Sequence, residues 1–145
     1  MVDERRVERL LRRITQDVAV LRRRADDVPV PPAGQRDRLD ALKYTLVTAI
    51  EGCIGVAQHI CASESWAPPA TNADAFCVLA ANGVLGDDLA ERMDRAAGLR
   101  NVLVHQYAEV DDARVVAFLD ELADLNAFVT GGTSWMASSD QPDQG

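Results

Sequence analysis

The feature that most constrains this chain is an apolar seam near its N-terminus. Val7, Leu11, Ile14, Val18, Leu21, Ala25 and Val28 recur at alternating spacings of four and three. That heptad rhythm keeps one face of an α-helix apolar along its whole length, which is the requirement for packing lengthwise on other helices. Asp3 can cap the start, so the spacing predicts a helix over residues 3–28. The stretch PVPPAG, residues 29–34, then stops it, because proline has no backbone N–H to donate and clashes with the preceding turn.

The same period returns down the chain. Leu39, Leu42, Leu46, Ala49, Ile50, Cys53, Ile54, Ala57 and Ile60 form the buried stripe of a second long helix over 35–62. Gly52 and Gly55 lower its helix propensity, which points to a neighbouring helix packed closely there. The loop SESWAPPATN leads to a short third helix over 73–82, closed by Asn82-Gly83. Asp87 is placed to cap a fourth, about 87–105, with Leu89, Met93, Ala96, Leu99 and Leu103 inward. Asp111 is placed to cap a fifth, about 112–130, with Val115, Leu119, Leu122 and Leu125 inward, and Gly131-Gly132 to end it. Strand signals are almost absent. The expected fold is all-α, an up-and-down four-helix bundle with one extra short helix. Residues 1–131 would form the bundle and 132–145 a polar, loosely held tail with Trp135 as its one candidate for docking.

A chain of 145 residues is long enough to bury a core without staples. No uninterrupted apolar run approaches the ~20 residues a membrane span needs. The start, MVDERRVERLLRR, lacks an apolar signal-peptide core, so the expected location is the cytoplasm. Cys53, Cys61 and Cys77 form no CxxC pair and all lie in apolar segments, where they read as small buried hydrophobes. The formal charge of −8 is uneven: eight arginines in the first 24 residues leave a local excess of +4 and −12 on the rest. An acidic total argues against non-specific nucleic-acid binding, and the arginine stripe reads as a solvated helix face. His59 sits at the C-terminal end of the second helix, where the helix dipole favours it. Trp66, in a proline-rich loop, is expected over a bundle end. No ligand spacing supports a metal site, and no glycine-rich phosphate loop, serine elbow or other cofactor signature is present.

One stretch does not behave as plain bundle helix: RNVLVHQY, residues 100–107. It spends one of two histidines and one of two tyrosines. At 100° per residue, Arg100 lies at the edge of the inward stripe, His105 about 140° round from it, and Tyr107 within about 20° of it. His105 therefore falls off the buried stripe at a helix end. The residue types support a definite chemistry. Arginine grips phosphate with a planar fork, histidine takes or gives a proton, and tyrosine offers a hydroxyl and a ring face, while Asn101 holds a neighbour by hydrogen bonds. Together they could cleave RNA, with histidine taking the proton of a ribose 2′-hydroxyl and arginine meeting the charge on the phosphate.

Arg100 and His105 with four residues between them, then one residue and Tyr107, resemble the RX4HXY motif of the HEPN superfamily. The surrounding DRAAGLRNVLVHQYAEVD is similar to the HepT branch, as is IEGCIGVAQHI in the second helix; the likeness spans roughly residues 5–130. It implies an all-helical homodimer whose two motifs face one cleft. It implies a metal-independent RNase acting as the toxin of a toxin–antitoxin pair, the antitoxin being an MntA-type nucleotidyltransferase that silences it by attaching AMP to the motif tyrosine. Carried over, the catalytic set is Arg100, Asn101, His105 and Tyr107, with Tyr107 also the modification site. A second reading stays open: a non-catalytic helical module that binds a nucleotidyltransferase and keeps the motif as a docking surface.

Overall fold

The structure is a computed structural model that describes residues 2–26, 32–66, 71 and 74–139. It is built of α-helices, and among the described residues there is no strand. They are α1 (Glu4–Asp26), α2 (Pro32–Ser63), α3 (Asp74–Ala81), α4 (Asp87–His105), α5 (Asp112–Phe118) and α6 (Leu122–Ser139), with 3-10 turns at Tyr107–Glu109 and Leu119–Glu121. Helix α1 packs on α2 and α6, and α4 packs on the same two, so these four form a bundle with α1 and α4 at opposite corners. Helix α3 leans on α2 and α4, and Phe76 meets Phe128 of α6 edge to face with ring centroids 5.6 Å apart.

The seam read from the first helix is its buried face. Val7, Leu11, Ile14, Val18 and Leu21 are all core residues, and the Asp3 carboxylate accepts from the Arg6 backbone N–H at 3.1 Å, as a cap should. Ala25 is half-buried, and Val28 lies outside the described residues, as do residues 29–31 of the proline stretch. Helix α2 begins three residues earlier than expected, at Pro32. A proline is tolerated in a first turn, where its missing N–H would have no partner anyway. The close packing expected at the glycines holds at Gly52, where an added Cβ would come within 2.8 Å of Ile14 Cγ1; at Gly55 the space is ordinary. The third helix closes as expected. Gly83 takes a φ of +79°, while Val84 N–H reaches Leu79 O and Gly83 N–H reaches Ala80 O. That pair of bonds is the Schellman arrangement, and its left-handed residue suits glycine.

Several expectations need correcting. The cap of α4 is Gly86 with no side-chain bond, and Asp87 sits in the first turn beside Asp88, where carboxylates still favour the positive end of the helix. The fifth helix is two: Asp111 caps α5 through the Ala113 N–H, but the 3-10 turn at Leu119–Glu121 breaks the run before α6. Gly131-Gly132 do not end α6, which runs on to Ser139. These glycines serve close approach: a Cβ on Gly131 would lie 3.1 Å from Leu85 Cδ2, and Gly132 faces Leu11. Residues 132–139 are thus bundle rather than loose tail; Met136 is buried and Trp135 packs on Trp66 at 6.1 Å. Residues 140–145 lie outside the described residues. Finally, Cys53 and Cys61 are buried as read, and burial pushes both thiols up, but Cys77 is exposed on α3.

By length and composition a 30-residue stretch of α2, Gly34–Ser63, is apolar enough to cross a membrane, contrary to the sequence reading. Half of it is buried in the protein, because α2 touches α1, α3, α4 and α6. Its apolarity is that of a central bundle helix. His59, read as a dipole contact, instead ties two helices together. Its Nε2 accepts the Asp3 backbone N–H at 3.1 Å, which joins the end of α2 to the start of α1.

Candidate active site

The motif occupies the last turn of α4 and the 3-10 turn after it. Gln106 breaks the helix at φ −134°, ψ 41°, still donating its N–H to Val102 O at 2.8 Å. The turn at Tyr107–Glu109 then carries the chain back toward α2. Helix α2 meets it with Asp40, Lys43, Val47 and Glu51, whose spacings of three and four place them along one face.

Arg100 is held from two sides. Its Nε and Nη2 donate to Glu51 Oε1 at 3.2 and 2.9 Å, and its Nη1 donates to Asn101 Oδ1 at 3.1 Å. Its side chain is only 18% exposed, so the guanidinium is fixed in orientation against α2. A guanidinium carries five N–H donors. Three are spent on Glu51 and Asn101, which leaves two for an incoming anion.

His105 and Asn101 are both exposed and stand one helical turn apart on α4, roughly 5–6 Å between Cβ atoms. Among the described residues no hydrogen bond joins His105 to Arg100, Asn101 or Tyr107. Tyr107 turns the other way, carried toward α2 by the break at Gln106 and the 3-10 turn and not by an ideal-helix azimuth, which ends with α4 at His105. Its hydroxyl donates to Asp40 Oδ1 in a short hydrogen bond. The Lys43 ammonium lies 4.8 Å from its ring centroid and pairs with Asp112 at 2.9 Å. The hydrogen bond to Asp40 raises the phenol above its ordinary range, helped by partial desolvation and the Asp40 charge. Both arginine and tyrosine are thus anchored on α2, and histidine and asparagine face outward beside them.

A shallow groove of about 300 Å³ runs between α2 and α4 along this face, with Tyr44, Val47, Leu103, Val104 and Tyr107 in its walls. Tyr44 is 68% exposed, and Val104 and Tyr107 are 43% and 41% exposed. Sequence reasoning missed Asp40, Lys43, Glu51 and Asp112. Those on α2 stand 49 to 69 residues from their partners, and no local spacing links them to the motif. The available signal was weaker: a charged stripe, 40-43-51, on the long central helix. Among the described residues no group of three His, Cys, Asp or Glu side chains is placed to hold a metal ion.

The ribonuclease HepT-like family matches residues 32–130, which takes in α2 through the first half of α6 and the whole motif. The chain belongs to this family. A curated relative, the mRNA nuclease HepT of Shewanella oneidensis, is 31% identical over 91 residues, 62% of this chain and 68% of the relative. Two solved structures share the fold. A tri-AMPylated HEPN toxin of Shewanella oneidensis, in complex with an MNT antitoxin, superposes with a TM-score of 0.81 at 23% identity, covering 92% of this chain and 99% of that one. A cytosolic protein of unknown function from Bacillus subtilis, YutE, gives 0.82 at 17% identity over 97% and 95%.

Proposed function

We propose that this chain is the toxin of a toxin–antitoxin pair, a cytoplasmic, homodimeric and metal-independent endoribonuclease. The observation that carries the reading is the Arg100 guanidinium, fixed by Glu51 and Asn101 with two N–H groups unspent, at the same helix end as an exposed His105. In the reaction His105 takes the 2′-hydroxyl proton of a ribose. The freed oxygen attacks the adjacent phosphorus, the bond from phosphorus to the 5′-oxygen breaks, and that oxygen leaves with a proton. Arg100 meets the charge that develops on the phosphate. No metal is required for either proton transfer. The family and the curated mRNA nuclease support RNA as the substrate.

The antitoxin is a nucleotidyltransferase of the MNT kind, and Tyr107 is where it attaches AMP. The AMPylated toxin bound to such an antitoxin supports this, and so does an exposed phenol whose hydroxyl is already oriented by Asp40. The Tyr107 oxygen forms a bond to the α-phosphorus of ATP, its proton leaves, and pyrophosphate departs. The new phosphate adds charge and bulk beside Arg100, where substrate phosphate has to sit.

One experiment tests both halves. The purified chain should cleave RNA, and His105→Ala should abolish cleavage while leaving helicity and unfolding midpoint unchanged, since an exposed side chain leaves no cavity. Incubation with its nucleotidyltransferase, ATP and magnesium should then raise the mass by one or more AMP units, mapping to Tyr107 and not to Tyr44. RNase activity unchanged in a folded His105→Ala chain sinks the catalytic reading. Silencing without a mass change would mean that the partner occludes the cleft by tight binding and that AMP attachment is wrong.

A further inference from the structure

Asp94, Gly98, Asn101 and His105 follow spacings of four, three and four, so they form one stripe of α4. The stripe does not face α2. Its Asp94, Gly98 and Asn101 border an open cleft of about 600 Å³ between α4 and the segment that starts at α5, and His105 lies one turn beyond Asn101. Asn101 is both a motif residue and part of this cleft's wall, so the cleft runs on directly from the catalytic end of α4.

Its construction is selective. Two small residues are among its lining, Gly98 on α4 and Ala117 on α5. A Cβ added to Gly98 would meet nothing within 4 Å, so no contact inside the chain requires a glycine there. Leu99 and Phe118 close the floor and are nearly buried. Arg95 and Arg114 reach it from opposite sides, both exposed, and neither forms an ion pair among the described residues. The same holds for Asp94 and Glu121, which contribute carboxylates. A cleft with an apolar floor, two uncommitted guanidinium groups and two acceptor carboxylates matches one chemical class well, a nucleotide. Arginine takes the phosphate, the floor takes the ring face, and a carboxylate accepts from a ribose hydroxyl or an exocyclic amino group.

We propose that the α4–α5 cleft is a binding subsite for the ribonucleotide adjoining the scissile phosphate. This rests on the ribonuclease reading of the motif and adds where the substrate chain lies. Arg114 and Arg95 hold the flanking phosphate, and Asp94 or Glu121 reads the base edge, favouring a base with an exocyclic amino group over uracil.

Gly98 supplies the test. Gly98→Leu fills the cleft without entering the core, and Gly98→Ala is the control that adds one methyl. With a defined single-stranded RNA oligonucleotide, Gly98→Leu and Arg114→Ala should each raise KM about tenfold or more, the loss expected for a charge-assisted contact. Their kcat should stay near the wild-type value, and Glu121→Gln should change the base preferred beside the cut. Wild-type KM and an unchanged cut pattern in both Gly98→Leu and Arg114→Ala overturn the proposal. If the wild-type chain cuts no RNA, the ribonuclease reading falls and binding decides the subsite. The labelled oligonucleotide should then bind the wild type more tightly than Gly98→Leu by fluorescence anisotropy; equal binding, or none to the wild type, overturns it. If Gly98→Leu turns a dimer into a monomer on sedimentation, the cleft is an interface between copies and the subsite is wrong. Should Gly98→Leu fail to fold, Arg114→Ala alone decides.

Discussion

Lys43 is 3% exposed, an unusual place for an ammonium unless partners compensate its lost hydration. It has two, the Asp112 carboxylate at 2.9 Å and the face of Tyr107. Tyr107 in turn donates to Asp40. One buried cation thereby fixes the ring, and one carboxylate fixes the hydroxyl. A pH dependence follows. The raised phenol keeps its proton further into alkali, so the bond to Asp40 is fully present below the unfolded value, about 10, and is lost as pH rises through the higher folded value. In a Tyr44→Phe chain Tyr107 is the only phenol, and its ultraviolet titration should have a midpoint above that of a free tyrosine. Adding Asp40→Ala should bring the midpoint down, since the first cause of the shift is gone. A midpoint indifferent to Asp40 would mean the hydroxyl is not held there in solution.

At the scale of the helix, legibility divides by the range of the cause. Helices α1 to α4 were readable because their signals are local: an apolar period, with Asp3 and Asn82-Gly83 at the ends. The break at Leu119–Glu121 and the passage of α6 through Gly131-Gly132 were not, because tertiary packing decides them. Gly131 is there for Leu85 and Gly132 for Leu11, and a glycine chosen for close approach looks the same in sequence as one chosen to stop a helix. The motif residues were legible for a similar reason, lying within eight positions, whereas Glu51 and Asp40 reach them only across the α2–α4 contact. The glycines allow a contrast. Gly52→Ala places a methyl 2.8 Å from Ile14 Cγ1 in the closed core. Overpacking costs about 1–3 kcal/mol and better helix propensity returns about 1, so the net should be a loss of roughly 1 kcal/mol. Gly98→Ala meets no such obstacle and should gain roughly 0.5–1 kcal/mol from propensity alone. Urea midpoints should move in opposite directions; a Gly52→Ala chain as stable as Gly98→Ala would show that Ile14 yields freely.

Over the whole molecule, charge and apolar exposure separate onto different corners. The arginines of α1 stand on a corner away from α4, with Arg5, Arg9 and Arg12 exposed, as a solvated face should. The exposed apolar side chains nearest the motif are Tyr44, Val104 and Tyr107, around the α2–α4 groove. The proposed homodimer accounts for how a single Arg100–His105 pair can serve a reaction with two proton transfers: a two-fold axis through that patch would appose the same surface on both subunits and bring two motifs to one cleft. Val104→Glu puts a charge into the patch at a position already 43% exposed, so the monomer should fold with unchanged helicity. Two charges facing each other across the axis should separate the subunits. Sedimentation at micromolar concentration should therefore give a dimer for the wild type and a monomer for Val104→Glu, and RNA cleavage should fall with dissociation. Wild-type protein that sediments as a monomer with full activity refutes the shared cleft. A Val104→Glu chain that stays dimeric but loses cleavage would move the axis off this groove and leave residue 104 acting on substrate directly.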